Sequence, residues 1–345
     1  MKAKDKLAVG VKIMASVVSG RPRPLFIQYS LSDRCNGQCI YCNCRNRGNT
    51  GLTTEDRLAL IAAFARLGCL RMKLYGGEPL LNDDVHVLIR AVRSHGMRCA
   101  MVTNGLLITE KMEAVREIDE LIISLDGDEE AHDRQRGPGT WRRAMDGIEA
   151  CAAEGLSFFL NVVLTRHSLG QVDWLCGLAD RLGIQANFQI PQFGETLFGP
   201  HAREWMPSPG EAREVLRKII ALKRSGGPVL FTVHSYRRTL GWKDFGLERI
   251  EDPARPSRCM AGRYALMIEP NGDVYPCFQH IGTFRAKNAL RDGAEAAWRH
   301  AWNHHCHDCY NTWLNENKAI FGLRPEVLMN FWRNYMSDKA KRYRR

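Results

Sequence analysis

Three cysteines, Cys35, Cys39 and Cys42, follow an apolar stretch in the pattern C-x3-C-x2-C. Thiolates this close together bind a metal or carry out redox chemistry. A structural zinc site closes four ligands, typically from two C-x2-C pairs, and this loop has a different spacing. Three thiolates on a four-iron cluster leave one iron without a protein ligand, where a cofactor can bind. The spacing therefore argues against a structural zinc clip and is compatible with an open iron–sulfur cluster.

Other cysteines have weaker patterns. Cys44 lies two residues beyond the first set, and it could replace a ligand in a C-x-C arrangement. We expect it to be a bystander, because a free thiol packs readily as a small apolar group. Four further cysteines occur singly in apolar segments and are expected in the core; they are Cys69, Cys99, Cys151 and Cys176.

A second set of four cysteines lies in the last third of the chain: Cys259, Cys277, Cys306 and Cys309. The first two flank a predicted hairpin whose turn is at Asn271 and Gly272, and the last two form a C-x2-C pair. Four thiolates can hold zinc or an iron–sulfur cluster, and the ligand count alone does not decide between them.

Histidines crowd the second cysteine set, namely His300, His304, His305 and His307. Four thiolates already complete a ligand set. We therefore expect an exposed helix end, with one or two imidazoles that shield the metal site rather than bind it.

Short β-rich runs alternate with helical patterns over residues 25–190. The predicted strands are LFIQYSL (25–31), RMKLY (71–75), RCAMVTN (98–104), ELIISLD (120–126), SFFLNVVLT (157–165) and ANFQI (186–190). Helices are predicted between them, for example over 53–68 and 140–155. Strands that alternate with helices form parallel sheets with right-handed crossovers. The sequence predicts an α/β fold, a partial (β/α)6 TIM-like barrel.

The alternation stops after residue 190, and a different organisation follows. A helix over 208–227 is marked by a capping box of Ser208 and Glu211. A small hairpin-plus-helix module with the second cysteine set comes next. The predicted segments are a basic amphipathic N-terminus (1–24), the partial barrel (25–207), a linker with a helix (208–257), the cysteine module (258–325), and a C-terminal helix with a basic tail (326–345).

The first cysteine set resembles the motif of the radical S-adenosylmethionine (SAM) superfamily, including the aromatic Tyr41 before the last cysteine. The resemblance implies that Cys35, Cys39 and Cys42 hold a [4Fe–4S] cluster that binds SAM. It extends to GGEP at 76–79, where the family binds the SAM amino group through backbone groups. The paired glycines permit such a close backbone approach. The candidate residues of that segment are Gly76, Gly77, Glu78 and Pro79.

Two further segments at predicted strand ends also resemble the family. TNG (103–105) and SLDG (124–127) resemble its ribose-contacting positions, which implies roles for Asn104, Ser124 and Asp126. The stretch over 132–141 resembles the region where an arginine, here Arg136, meets the SAM carboxylate. All these segments lie where parallel α/β barrels place their active sites.

The second cysteine set resembles the SPASM or twitch module of many radical SAM enzymes. The resemblance implies one auxiliary [4Fe–4S] cluster held by all four cysteines, and thus two [4Fe–4S] clusters and SAM as cofactors. A fully ligated cluster has no vacancy for substrate and suits electron transfer. The cysteine spacing is also similar to that of a dehydrogenase acting on an aminocyclitol alcohol, which favours an oxidation.

The resemblance predicts an enzyme that cleaves SAM reductively and removes hydrogen from a substrate C–H, with a flavodoxin- or ferredoxin-type electron donor. Two alternatives stay open: a membrane-associated radical SAM enzyme that adds the adenosyl group or forms a C–C bond on a lipid, and a non-enzymatic zinc or iron–sulfur interaction protein. The substrate is a small molecule, a peptide or a lipid. No catalytic residue is assigned beyond the cluster and SAM site. The expected pocket residues are Asn161, Gln189, Gln192, Glu195, His234 and Tyr236.

The net charge of +11 lies almost entirely at residues 1–24 and 339–345, and the body of the chain is nearly neutral. This distribution argues against a nucleic-acid partner and suits tails that touch an anionic membrane surface. The N-terminal segment is too short to span a bilayer and lacks a signal-cleavage site. We expect a cytoplasmic protein, with docking on the inner membrane surface as an open alternative, and no leader-peptide-binding domain before the barrel.

Overall fold

The computed structural model describes residues 3–199, 201–254 and 259–336, and within them a single large sheet organises the molecule. The strands are β1 (Phe26–Ser30), β2 (Arg71–Tyr75), β3 (Arg98–Thr103), β4 (Glu120–Ser124), β5 (Phe158–Val163), β6 (Ala186–Gln189), β7 (Arg249–Glu251), β8 (Ala265–Ile268), β9 (Asp273–Tyr275), β10 (Lys287–Asn288) and β11 (Cys306–Cys309). Nine of these described strands form the large sheet, in the order β10-β9-β8-β1-β2-β3-β4-β5-β6.

Helices connect the strands. They are α1 (Ala3–Val18), α2 (Thr54–Arg66), α3 (Val85–Ser94), α4 (Met112–Arg116), α5 (Glu129–Arg136), α6 (Thr140–Ala153), α7 (Val172–Leu182), α8 (Glu195–Phe198), α9 (Pro209–Arg224), α10 (Val233–Leu240), α11 (Ala294–His300), α12 (Thr312–Phe321) and α13 (Pro325–Met336). The predicted capping box is confirmed at the start of α9, where Ser208 and Glu211 exchange hydrogen bonds.

Strands β1 to β6 pair in parallel with their sequence neighbours, which confirms the α/β partial-barrel prediction. The side chains of β2 point alternately toward the helices and toward the barrel interior. Met72 and Leu74 are fully buried in the main hydrophobic cluster under the helices, while Arg71 and Lys73 point to the opposite, interior face. The interior of the barrel therefore receives polar and charged side chains, which lie among apolar ones such as Val102 and Ile122.

The predicted hairpin forms from β8 and β9, and it continues the barrel sheet. Strand β8 pairs in parallel with β1, with Phe26 opposite Ala265, and in antiparallel fashion with β9. The cysteine module is thus hydrogen-bonded to the edge of the barrel. The predicted domain boundaries remain predictions, since the sheet runs across them.

A second hydrophobic cluster joins the two ends of the chain beneath β1. Phe321 of α12 stacks on Tyr264 at 4.9 Å between ring centroids and contacts Phe26 at 5.3 Å. Ile13 of α1 and Val327 of α13 are buried in the same cluster. Across the described residues, we find no helix with the length and apolarity that a bilayer span requires.

Candidate cluster and SAM site

The loop after β1 brings the first three cysteines together. A Cβ placed on Gly37 would lie 3.6 Å from the Cys35 sulfur and 3.8 Å from the Cys39 sulfur. Cys42 follows one tight turn later, where its N–H donates to the Cys39 carbonyl, and it is exposed. The three thiols therefore share one open loop at the carboxyl end of β1.

The charge state of these thiols indicates how they would meet a metal. Burial raises the pKa of Cys35, and burial raises that of Cys39 to about 12. A hydrogen bond from the Cys44 thiol lowers the pKa of Cys42 to about 7. Thiolates at the first two positions need a positive charge beside them, and iron supplies one. The donor set fits an iron–sulfur cluster.

The glycines of the GGEP segment press against this loop. A side chain on Gly76 would lie 2.5 Å from the Ser32 carbonyl oxygen, and one on Gly77 would lie 2.1 Å from that of Arg34. The Gly77 N–H donates to the Ser32 carbonyl at 2.7 Å. The two glycines therefore let the backbone of this segment pack closely against the cysteine loop.

Glu78 ties the ends of β2 and β3 together. Its carboxylate accepts hydrogen bonds from the Thr103 hydroxyl at 2.8 Å, from the Asn104 N–H at 2.7 Å and from the Leu80 N–H at 3.1 Å. Burial raises the pKa of Glu78 to about 7. Pro79, also buried, starts the short turn that follows. This carboxylate holds the backbone around the cysteines and does not face solvent.

Asn104 reaches over the cysteine loop from the end of β3. Its amide donates to the Asn36 side chain at 2.8 Å and lies 3.9 Å from the Cys35 sulfur. Ser124, which ends β4, is buried at the same edge of the sheet. Both residues lie at the carboxyl ends of neighbouring strands, next to the loop.

Asp126 and Arg136 form a buried ion pair beside Cys39. The carboxylate accepts from Arg136 Nε at 2.6 Å and Nη2 at 3.2 Å, from the Tyr41 hydroxyl at 2.8 Å and from the Val163 N–H at 2.9 Å. Burial raises the pKa of Asp126, but the charge of Arg136 and the hydrogen bonds from Arg136 and the Val163 N–H together lower it by more, and the net shift is downward. Four donors fill the carboxylate, so its role here is to position Arg136 and Tyr41.

Arg136 also contacts the cysteine loop directly. Its Nη1 lies 3.9 Å from the Cys39 sulfur, and its carbonyl accepts from the Gln38 N–H at 3.2 Å. A second hydrogen bond runs from the Ile40 N–H to the Gln135 carbonyl at 2.9 Å. The end of α5 therefore holds the loop and leaves one cation at its edge.

One contact missed by sequence reasoning links the cysteine loop to the hairpin. Arg47 forms ion pairs with Asp33, at 3.4 Å, and with Glu269, which follows β8. Cys44 is buried, and its thiol lies 3.5 Å from the Asp33 carboxylate. The three charged residues are far apart in sequence, so no local spacing marks them.

The second cysteine set gathers between β9 and β11. Cys277 follows β9, and Cys306 and Cys309 bound β11. A hydrogen bond from the Cys306 thiol lowers the pKa of Cys259 to about 7. Burial, then the charge of Cys259, raises the pKa of Cys277 to about 12. The four thiols interact with one another, three of them buried and Cys259 half-buried, which fits a closed site for a soft metal.

Two histidines flank this set, and one of them was not predicted. The ring centroids of His280 and His304 are 5.2 Å apart, next to Cys306. Both nitrogens of His304 are engaged, one with the Ala261 carbonyl at 2.9 Å and one with the Cys306 N–H at 3.2 Å. His304 thus matches the expected shielding imidazole. His280 is distant in sequence, and only its position after Cys277 could have marked it.

Comparison with known proteins identifies the family. A Radical SAM superfamily model matches residues 29–173. The mycofactocin maturase MftC of Mycobacterium ulcerans is 28% identical over 291 residues, which cover 82% of this chain and 76% of the relative. Residues 29–173 belong to the radical SAM superfamily. The protein is an enzyme, and this excludes the alternative of a non-enzymatic zinc or iron–sulfur interaction protein.

Two other relatives and one solved structure are also similar to this radical SAM enzyme. The AdoMet-dependent heme synthase of Methanosarcina barkeri is 27% identical over an alignment that spans 74% of this chain and 76% of the heme synthase. The PqqA peptide cyclase of Streptomyces rochei is 29% identical over an alignment that spans 83% of this chain and 78% of the cyclase. The crystal structure of Streptococcus suis SuiB bound to S-adenosylmethionine has the same fold, with a TM-score of 0.64, 17% identity and coverage of 84% and 69%. The cofactors of the radical SAM enzyme are SAM and [4Fe–4S] clusters.

The expected pocket residues of this radical SAM enzyme divide into two groups. Asn161 and Gln189 line an interior cavity of the barrel. Tyr236 is buried in the core, where its hydroxyl accepts the Phe188 N–H at 3.1 Å. Gln192 and His234 are not among the residues that line the cavity. The side chain of Glu195 lies outside the described part of the structure.

Proposed function

We propose that Cys35, Cys39 and Cys42 hold the cluster at which SAM is cleaved. When bound, the cluster supplies the electron that splits SAM into methionine and a 5′-deoxyadenosyl radical, which removes hydrogen from a substrate C–H. The observation that carries the assignment is the convergence of three thiols on one loop with Asn104 and Arg136 at its edge. The remaining chemistry of the site comes from these neighbours.

The polar groups around the loop suit the parts of SAM. The strand ends at Asn104 and Ser124 present amide and hydroxyl groups for the ribose, and Arg136 presents a cation for the carboxylate. Asp126 and Tyr41 position that cation. The backbone at 76–79 packs against the loop and would meet the amino group there.

We infer further that the reaction is an oxidation and that Cys259, Cys277, Cys306 and Cys309 hold an auxiliary electron acceptor. After hydrogen abstraction, the substrate must lose one electron and one proton to become a stable dehydrogenated product. Phe278, next to Cys277, and Asn311, two residues after Cys309, both line the interior cavity. This proximity supports electron transfer from a substrate in the cavity to the second site. The electron that cleaves SAM would come from an external flavodoxin- or ferredoxin-type donor.

Anaerobic reconstitution tests the first assignment. We expect the protein to hold about eight irons and to release 5′-deoxyadenosine when mixed with SAM and dithionite. Cys39→Ala should abolish the release, while Cys176→Ala, a buried thiol far from either set in sequence, should retain it. Release from Cys39→Ala at the wild-type rate would contradict the assignment.

A second proposal concerns peripheral membrane contact of the termini. Exposed apolar side chains form a stripe on α1 at Val11, Met14 and Val18, and α13 adds Met329 and Trp332. Lys12, which is exposed, lies on the same helix, and the tail over 339–345 lies outside the described residues. An apolar stripe beside cations suits an anionic lipid surface. Flotation with anionic liposomes should be lost in Val18→Asp, and equal flotation with neutral liposomes would contradict electrostatic docking.

A further inference from the structure

A cavity of about 320 Å³ fills the interior of the partial barrel. Side chains from the inner face of β1 to β6 form one wall, and α12 closes the other side with Trp313, Glu316 and Asn317. The cavity extends from Arg71 and Arg98 at the amino ends of the strands to Gln189 at a carboxyl end. It therefore follows the interior of the barrel toward the edge that carries the cysteine loops.

Lys73 projects into this cavity from the middle of β2. Only 7% of the residue is exposed, and its ammonium lies 4.4 Å from the centroid of the Trp313 ring. Within the described ranges, the ammonium has no hydrogen bond and no carboxylate partner. Burial, followed by the charge of Arg71, lowers the pKa of Lys73 to about 7. A buried ammonium without a counter-ion is costly and marks a functional site more often than a structural one.

The carboxylates nearest the cavity are already occupied. Glu120 pairs with Arg71 at 2.5 Å and with Arg98 at 3.4 Å. Glu316 accepts hydrogen bonds from Thr232, Ser235 and Asn330. Arg71 and Arg98 are thus matched in number by Glu120 and Glu316 in the cavity wall, and Lys73 adds the one positive charge in excess among the described lining residues.

A second buried polar atom in the cavity wall lacks a partner. The Oδ1 atom of Asn187 is buried without a hydrogen bond within the described residues, while its Nδ2 donates to Asn161 at 2.9 Å. An acceptor oxygen and an ammonium are thus both left over on the walls of one cavity. Such a pair suits a ligand with one anionic group and one N–H or O–H donor.

We propose that the cavity binds a carboxylate of the substrate, with the Lys73 ammonium as its counter-ion and the Trp313 ring as its wall. A singly charged anion fits because Lys73 is the cation without a carboxylate partner in the described cavity wall. The proposal rests on the proposed function, since it places the substrate of that reaction in the barrel interior. The carboxylate can belong to a peptide or to a small molecule, and the relatives' names include both a peptide cyclase and a heme synthase.

The test uses two matched pairs of probes and the reconstituted holoenzyme with SAM. One pair is N-acetyl-glycyl-phenylalanine and its C-terminal amide, and the other is 3-phenylpropanoate and 3-phenylpropanamide. Calorimetry should show that at least one acid binds about tenfold more tightly than its amide. The preference should fall to within about twofold in Lys73→Met and persist in Lys111→Met, an exposed control. Iron content and melting temperature check that each variant is folded.

Each outcome decides the proposal. A preference for the peptide acid alone, or for the small acid alone, supports it and identifies the source of the carboxylate. Equal binding of acid and amide to the wild type would overturn it, and so would a preference retained in Lys73→Met. It would also be overturned if neither acid bound up to about 10 mM, which corresponds to a binding free energy weaker than about 3 kcal/mol. Because binding is measured without turnover, failure here is distinguishable from failure to cleave SAM.

Discussion

The two cysteine sets differ in exposure and in what surrounds them. The first set lies on a loop with Cys42 exposed and with Asn104 and Arg136 at its rim. In the second set, Cys277, Cys306 and Cys309 are each at most 6% exposed. An open loop beside polar side chains can admit a cofactor, while a set of four thiols with three of them buried suits a closed metal site. The same ligand chemistry therefore supports two different roles in one chain.

The largest expected effect separates the two sets by cysteine substitution. Cys39→Ala and Cys277→Ala should each lower the iron content from about eight to about four per chain. Only Cys39→Ala should lose 5′-deoxyadenosine formation, because the second set does not bind SAM in our proposal. Iron analysis and chromatography of the reaction mixture measure both. If Cys277→Ala also abolished SAM cleavage while remaining folded, the division of roles would be wrong.

Gly77→Ala should damage the first site alone. The new Cβ would lie 2.1 Å from the Arg34 carbonyl oxygen, and a backbone group cannot move aside as a flexible side chain can. We expect loss of the open cluster and of most SAM cleavage, with the auxiliary cluster retained, so that about four irons remain. Gly170→Ala is the control, because nothing lies within 4 Å of its Cβ position and its backbone is not in the left-handed region. A full iron complement in Gly77→Ala would show that the loop is not held as described.

Breaking the buried ion pair should have an intermediate effect. Asp126→Asn leaves Arg136 without its counter-ion, and we expect the free energy of unfolding to fall by about 3 kcal/mol. It should also weaken SAM binding, since the guanidinium is no longer fixed. Asp146→Asn, which removes an exposed pair with Arg142, should change stability by about 0.5 kcal/mol or less. Urea denaturation measures both, and equal stability losses would mean that Asp126 is not buried and paired.

The smallest effect concerns pH. Burial raises the folded-state pKa of Glu78 to about 7 from an ordinary value of 4.5. The folded protein therefore binds more protons than the unfolded chain between those values, and this group's contribution to stability falls as pH rises from about 4.5 to 7. Glu78→Gln should flatten that part of the stability profile relative to the wild type. The same slope in both proteins would contradict the buried position of this carboxylate.

Much of the fold was predictable because its signals are local. Alternating runs and capping residues mark the strands and helices, as at Ser208 and Glu211, and the cysteine spacing marks the first site within eight residues. The pairing of β8 with β1 was not predictable, since nothing near residue 265 shows that its neighbour lies at residue 26. Contacts such as Arg47 with Glu269 depend on that pairing, so they too were missed.

The interior of the barrel shows a different limit. The alternation in RMKLY places Lys73 opposite Met72 and Leu74, so its inward direction could be read from the sequence. The lack of a carboxylate partner for Lys73 could not be read from the sequence, because its surroundings come from separate elements. These are the cluster of Arg71, Arg98 and Glu120, and the Trp313 ring. Likewise Gln192 and Tyr236 were expected in the pocket, but their positions depend on the path of the chain after β6.

The central claim is that the loop of Cys35, Cys39 and Cys42 leaves one iron free for SAM. Electron paramagnetic resonance of the dithionite-reduced Cys277→Ala variant tests it most directly, since that variant should retain only the first cluster. We predict that adding SAM changes the g-values of the signal, as a new ligand at iron must. A signal that stays the same at saturating SAM would contradict the claim.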